Sequence, residues 1–263
     1  MGKPQYLALT SAFVLFAGLY FGFSTKTSHP KAEEATRPMS RDGISSESLV
    51  AEAKSRLSPS QLESILKLET DLSTEKQGNI EKKVVDALKT LSSKWYEVGE
   101  IPIAGAYAEQ VAGMENTDSS WSVAGGSFYN GLIAAKEPEL RDYCASHAIQ
   151  AFEQASLVNP RKVEHRVNIA LIYAENPPAD NPMKAVLMLR ELEAKHPDNP
   201  SVYNALGRLA IKTGQWQRAI DRLEKAYSLD PKNPNTPCLL AKAYEGADNT
   251  TKANEFARKC NQK

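Results

Sequence analysis

Apolar and small side chains recur along the second half of the chain at helical spacing. In four segments an alanine precedes another apolar residue by four positions, which places both on one helix face; the pairs are Ala148–Phe152, Ala185–Leu189, Ala219–Leu223 and Ala253–Ala257. The four alanines are 37, 34 and 34 residues apart, and Pro160, Pro197 and Pro231 follow in step. A period of this length predicts an all-α stack of helical hairpins.

Small residues are expected where the helices of such a stack approach closely. Glycine inside a helix costs up to ~1 kcal/mol relative to alanine, so a packing reason is needed for Gly125 and Gly207. Larger side chains such as Tyr203 and Leu206 would then fill the space towards the next hairpin. The predicted contact residues are Gly125, Ala148, Ala170, Ala185, Gly207, Ala219, Ala241 and Ala253.

The clearest unit reads Tyr203-x2-Leu206-Gly207-x2-Ala210, followed by Ala219, Leu223 and Pro231. It resembles the tetratricopeptide repeat (TPR), whose pattern is W-x2-L-G-x2-Y, then A, x3, F and P. The resemblance covers about five units over residues 85–263. The first unit departs from the pattern because Ser92 stands at the small position, and the second and third contain insertions between their helices.

The resemblance implies a right-handed solenoid whose concave face, built mainly by the first helix of each hairpin, binds other proteins or peptides. On the last units this face would carry a modest basic strip of Asn204, Arg208, Lys212 and Lys242. In several TPR proteins such a strip clamps an acidic peptide end, although ordinary solubilising charge explains it equally well. Val167 and Leu171 on the third unit would instead favour a hydrophobic or helical ligand.

The amino terminus carries an apolar run without charge over residues 5–23. Its nineteen residues, at ~1.5 Å each, reach roughly the ~30 Å of a bilayer core. A cleaved signal peptide is the alternative, but no small-x-small cleavage site follows the run. We therefore predict a single N-terminal transmembrane helix within residues 1–23.

Three further segments follow the predicted anchor. Residues 24–46 are rich in Ser, Thr, Pro and charge, which is typical of a flexible linker. Residues 47–84 contain two helical stripes separated at Ser58-Pro59, which fit either a cap or a degenerate repeat. The solenoid occupies residues 85–263. Flanking charges favour a cytoplasmic solenoid, but long domains translocate regardless of them, and we expect an extracytoplasmic domain on a bacterial inner membrane.

The composition and the motifs of the chain argue against several classes of function. Lysine plus arginine and aspartate plus glutamate number 32 each, so the formal net charge is zero, which argues against nucleic acid as the main partner. His29, His147, His165 and His196 match no metal-binding template, and Gly125-Gly126-Ser127 lacks the context of a nucleophile elbow. We therefore expect no enzyme activity, no metal or other cofactor and no small-molecule substrate.

The three cysteines allow one specific hypothesis. Cys238 starts the first helix of the last hairpin and Cys260 ends its return helix, so antiparallel packing brings them together. A disulfide and two free thiols both fit this placement, and Cys144 has no evident partner.

These inferences predict a membrane-anchored scaffold or adaptor that binds a partner protein or peptide. By analogy with anchored bacterial TPR proteins, it would assist protein translocation, folding or assembly of envelope complexes, in the manner of ancillary translocon or periplasmic chaperone proteins. Two alternatives stay open: a structural subunit of a larger membrane complex, and an organelle-surface import receptor with its solenoid in the cytosol. Both the scaffold and its alternatives rest on analogy between folds.

Overall fold

A computed structural model describes residues 44–261, which form twelve α-helices and no β-strand. The helices are α1 (Ser46–Arg56), α2 (Pro59–Gly78), α3 (Glu81–Glu97), α4 (Ile101–Glu115), α5 (Asp118–Ala134), α6 (Pro138–Val158), α7 (Glu164–Glu175), α8 (Lys184–Lys195), α9 (Pro200–Lys212), α10 (Trp216–Leu229), α11 (Asn235–Gly246) and α12 (Thr250–Asn261). The predicted all-α helical solenoid is therefore confirmed for this part of the chain.

Helices α3 to α12 pair in chain order as five hairpins, and each return helix also packs on the first helix of the next hairpin. The first helices of hairpins two to five adjoin one another as well, because α5 contacts α7, α7 contacts α9, and α9 contacts α11. This arrangement lines up the four first helices along one face, which we call the inner face.

Local sequence signals set the helix ends. Ser58 caps α2 in a capping box, and Pro59 occupies its first turn, where a missing N–H costs nothing. The Asn199 side chain caps α9 ahead of Pro200 by accepting hydrogen bonds from the backbone N–H groups of Ser201 and Val202. The hairpin turns at Gly99 and Gly214 need φ angles of +89° and +69°, a conformation that glycine adopts without strain.

The small residues lie at close helix contacts. A Cβ on Gly207 would lie 2.5 Å from Cγ of Leu223, one helical turn after Ala219, and a Cβ on Gly125 would lie 2.9 Å from the Phe152 ring. Ala148, Ala170, Ala185 and Ala219 are buried, whereas Ala241 and Ala253 are partly buried against the core of the last hairpin.

Helices α1 and α2 cover the first hairpin. The long helix α2 packs along α3, and α1 lies against α4. Ala53 of α1 and Ile65 of α2 are fully buried in the same apolar cluster as Leu88 and Trp95. An ion pair of 2.6 Å between Lys54 and Glu69 links α1 to α2. The two helices therefore close one end of the stack by burying its apolar surface.

The structure does not address the predicted membrane anchor. Within residues 44–261, none of the helices has the combination of length and apolar character that crossing a bilayer requires. The anchor predicted at residues 1–23, and nearly all of the linker predicted at residues 24–46, lie outside the described residues.

Candidate functional site

The predicted basic strip lies on α9 and α11, two neighbouring first helices of the inner face. The exposed members are Arg208, Lys212 and Lys242, and Asn204 is half-buried. Lys242 occupies the position in α11 that Arg208 occupies in α9, 34 residues earlier. We call these four residues the inner strip. Their side chains present hydrogen-bond donors and positive charge towards one side of the stack.

Arg208 reaches across the inner face to the second hairpin. Its Nη2 donates a hydrogen bond of 3.2 Å to the hydroxyl oxygen of Tyr129 on α5, 79 residues away in the chain. Burial raises the pKa of the Tyr129 hydroxyl, which therefore remains neutral and able to accept this bond. The contact joins α5 directly to α9, although α7 lies between them in the order of the stack.

Lys212 is engaged at the end of α7. Its Nζ donates to the carbonyl oxygen of Ala174 and to Oε2 of Glu175, both at 2.7 Å. Carbonyls in the last turn of a helix have no partner within the helix, and a cation there also complements the helix dipole. Lys212 thus satisfies the C-terminal end of α7 as well as presenting charge to the inner face.

The other two members of the inner strip differ in their contacts. Asn204 accepts a hydrogen bond of 3.0 Å from the hydroxyl of Thr236, a fully buried residue at the start of α11. This bond fixes the Asn204 amide and ties α9 to α11. Lys242 is exposed on α11, where a partner has direct access to its ammonium group.

The prediction that Val167 and Leu171 line an exposed concave face is wrong. Val167 is 4% exposed and Leu171 is 8% exposed, and both belong to an apolar cluster with Leu189 and other residues of α8 and α9. Tyr129 packs against the same cluster from α5. Val167 and Leu171 therefore offer little apolar surface to a ligand.

Two residues that complete this site, Tyr129 and Glu175, did not emerge from the sequence. Only Tyr129 has a positional signal, because it lies four residues after Gly125, just as Ile211 lies four residues after Gly207. This offset corresponds to one helical turn, so both side chains belong to the same register of their first helices. An aromatic at this register is large enough to reach the neighbouring hairpin.

Arg141 is a third residue that the sequence did not reveal. From the first turn of α6, its guanidinium donates to the carbonyl oxygens of Leu132 and Ala135 at the end of α5, and to that of Glu175 at the end of α7. The two helix ends thus share one cation. Arg141 and Lys212 together fix the C-terminal ends of successive first helices.

At the opposite helix ends, a second polar cluster surrounds Asp118 at the start of α5. Its carboxylate accepts hydrogen bonds from Asn159 and Lys162, and these lower the pKa of Asp118. Nε2 of His165, on α7, lies 2.7 Å from Asp118 Oδ1 but out of line for a hydrogen bond. Burial of His165, whose side chain is 1% exposed, lowers its pKa, so the imidazole is neutral near pH ~7. This cluster joins hairpins two and three and is a structural element.

The cysteines occupy two different environments. Cys238 and Cys260 form a disulfide with a Cα–Cα separation of 4.8 Å, which ties the start of α11 to the end of α12. Cys144 is buried, and this burial raises the pKa of its thiol to about 12. A thiol that stays protonated is a poor nucleophile. Within residues 44–261, no group of three or more His, Cys, Asp or Glu side chains is placed to hold a metal ion.

The comparisons with known proteins agree with this geometry at one hairpin. A family model described as tetratricopeptide repeat matches residues 200–233, which span α9, α10 and the turn that follows. The TPR match thus includes Asn204, Arg208 and Lys212 of the inner strip. No curated protein sequence matches the chain.

Several solved structures resemble the fold. A thermophilic TPR protein from Thermus thermophilus is 18% identical, with a TM-score of 0.48, and the match covers 76% of this chain and 100% of that protein. MamA from Desulfovibrio magneticus RS-1 is 19% identical, with a TM-score of 0.39 and coverages of 67% and 92%. The Cut9–Hcn1 assembly is 17% identical, with a TM-score of 0.48 and coverages of 85% and 40%.

Proposed function

We propose that this protein is a membrane-anchored scaffold that binds a partner protein or peptide on the inner face of α9 and α11. The observation that carries the proposal is the inner strip, which repeats a cation at the same position of two consecutive hairpins, Arg208 and Lys242. The TPR match at residues 200–233 supports it, because stacked helical hairpins create extended concave binding surfaces.

The chemistry of the inner strip favours a partner segment rich in carboxylates. Arginine and lysine form charge-assisted hydrogen bonds with carboxylates, and the amide of Asn204 adds polar recognition. The buried Val167 and Leu171 offer no surface for a hydrophobic ligand. We therefore propose an acidic peptide segment or chain end as the bound element.

The location we propose is a bacterial inner membrane, with the solenoid outside the cytoplasm. The apolar run over residues 5–23 supplies the anchor. The disulfide between Cys238 and Cys260 supports an extracytoplasmic domain, because disulfides persist in oxidising compartments. In that location the scaffold would assist translocation, folding or complex assembly of envelope proteins, without enzymatic activity of its own.

The test combines crosslinking mass spectrometry in native membranes with affinity purification of variants. Wild-type protein should recover a defined partner crosslinked to α9 or α11, and the charge reversals Arg208→Glu/Lys242→Glu should abolish recovery. The matched control is Arg218→Glu/Lys225→Glu, which reverses two exposed cations on the return helix α10. Equal recovery by wild type and both double variants would exclude the inner strip as the binding site.

Crosslinking also separates the scaffold from its nearest alternative. A partner that remains in fixed stoichiometry through purification, with crosslinks distributed over several faces, would indicate a structural subunit of a membrane complex.

Digestion by an added protease reports which side of the membrane the solenoid occupies. Cleavage in spheroplasts but not in inside-out vesicles is expected for an extracytoplasmic solenoid, and the reverse pattern would indicate the cytosolic arrangement of an import receptor.

A further inference from the structure

We propose that Glu175 is a built-in competitor for the inner strip, so that an acidic partner must displace it from Lys212 in order to bind. This inference rests on the proposed function and specifies how that site is regulated. It follows from a contact within the inner face. The carboxylate of Glu175 on α7 already forms an ion pair with the ammonium group of Lys212 on α9.

Glu175 presents to Lys212 a carboxylate, the same chemical group that we propose for the ligand. Oε2 of Glu175 lies 2.7 Å from Nζ of Lys212, a distance typical of a charge-assisted hydrogen bond. The two side chains are 26% and 46% exposed, so a carboxylate that arrives from solvent can reach the ammonium group. A partner carboxylate would therefore replace one acceptor with another of the same kind.

The contact between Arg208 and Tyr129 holds the second cation in a related way. The guanidinium donates to a neutral hydroxyl, which is a weaker acceptor than a carboxylate. An acidic partner can therefore draw Arg208 away from Tyr129 more readily than it can draw Lys212 away from Glu175. Of the intramolecular acceptors on the inner strip, Glu175 is the one that carries a full negative charge, and it sets the resistance to binding.

The remaining contact of Lys212 makes the exchange feasible. Lys212 also donates to the carbonyl of Ala174 at 2.7 Å, so its ammonium group keeps a hydrogen bond at the end of α7 when Glu175 leaves. The fold therefore does not depend on the Glu175 contact alone. Binding would exchange one acceptor at Lys212 without unfolding the end of the helix.

The experiment measures binding of a fluorescein-labelled peptide of eight glutamates to the full-length chain in non-ionic detergent, by fluorescence anisotropy. A peptide of eight glutamines is the ligand control. Partly exposed ion pairs contribute at most ~1 kcal/mol, so Glu175→Gln should bind the acidic peptide about two- to fivefold more tightly than wild type. Glu175→Asp should also bind more tightly, because the shorter side chain keeps the charge but withdraws from Lys212.

The charge control is Glu245→Gln, which removes the same charge from an exposed position on α11. Affinity close to wild type is expected for this variant. If Glu175→Gln and Glu245→Gln tighten binding equally, or if Glu175→Asp binds as wild type does, overall charge accounts for the effect and the competitor role is wrong. If wild type binds the peptide and Glu175→Gln binds it no better, the competitor role fails while the inner strip survives as a binding site. If neither wild type nor any variant binds the acidic peptide, both proposals fail.

Discussion

Close packing at Gly207 can be tested by adding one methyl group. In Gly207→Ala the new Cβ would lie 2.5 Å from Cγ and 2.6 Å from Cδ2 of Leu223, about 1 Å inside the separation at which two carbon atoms attract. Leu223 is fully buried, so its side chain cannot move into solvent. The helix α9 and the helix α10 must therefore separate, or Leu223 must leave its rotamer.

The magnitude follows from two opposing terms. Overpacking of a core costs ~1–3 kcal/mol, and two conflicting atoms place Gly207→Ala in the upper part of that range. Alanine gains about 1 kcal/mol over glycine within a helix. We expect a net loss of about 1–2 kcal/mol, which lowers the melting temperature by roughly 2–8 °C for a domain of this size. Gly207→Leu should be more destabilising still.

The matched control is Gly126→Ala on α5, where an added Cβ would meet nothing within 4 Å. There the helix propensity acts alone, so the variant should be more stable than wild type by up to ~1 kcal/mol. Far-UV circular dichroism melts of full-length protein in mild detergent give both shifts, and hydrogen exchange locates the loss to the fourth hairpin. A Gly207→Ala protein that melts as high as Gly126→Ala would refute the close contact.

Three further variants test other contacts. Burial lowers the pKa of His165, so the unfolded chain binds a proton at this residue more readily than the folded chain does. The free energy of unfolding should therefore fall as the pH drops below about 6.5. In denaturant titrations, His165→Gln should make this free energy depend less on pH. Cys238→Ser opens a disulfide of sequence separation 22, which should cost ~3 kcal/mol and speed hydrogen exchange in α12. Arg141→Met removes the donor shared by the ends of α5 and α7, and should cost about 1–3 kcal/mol in thermal melts.

For each of these variants, one result would contradict the effect that we expect. Equal pH slopes for wild type and His165→Gln would show that this imidazole does not bind protons differently in the two states. Exchange rates in α12 that do not change in Cys238→Ser, or in wild type with a reductant, would show that the disulfide does not hold the helix. Melting of Arg141→Met at the wild-type temperature would mean that water replaces the guanidinium at both helix ends.

Repeat packing is local, so the spacing of residues along the sequence carries much of the information that specifies it. A hairpin places its small residues a fixed number of positions from their partners, so Gly125 and Gly207 follow from periodicity alone. Each contact lies within one hairpin, as between Gly207 and Leu223, or between the return helix and the next first helix. The same regularity places Arg208 and Lys242 at equivalent positions. Information of this kind is contained in the spacing of residues.

The inner face was less predictable because its contacts reach beyond adjacent hairpins. Repeat logic treats each unit as interacting with its nearest neighbours, and on that basis Val167 and Leu171 point to a groove. Tyr129 of hairpin two breaks this rule through its hydroxyl, which accepts a hydrogen bond from Arg208 of hairpin four, 79 residues away. Its ring also packs against the cluster that contains Val167 and Leu171. Whether an aromatic covers a neighbour depends on the curvature of the stack, which no local pattern encodes.

The same long contact explains why binding should concentrate on α9 and α11. At α7 Val167 and Leu171 are buried in the cluster against which Tyr129 packs, so they offer little surface to a ligand. At α11 Lys242 is exposed, and the neighbouring α9 is held in place by the bond between Thr236 and Asn204. A ligand that settles there meets two helices in a fixed arrangement, so their backbones lose little entropy when it binds. Replacing Tyr129 with alanine would remove the acceptor of Arg208 and one ring from the cluster that holds Val167 and Leu171, without adding charge to the inner strip.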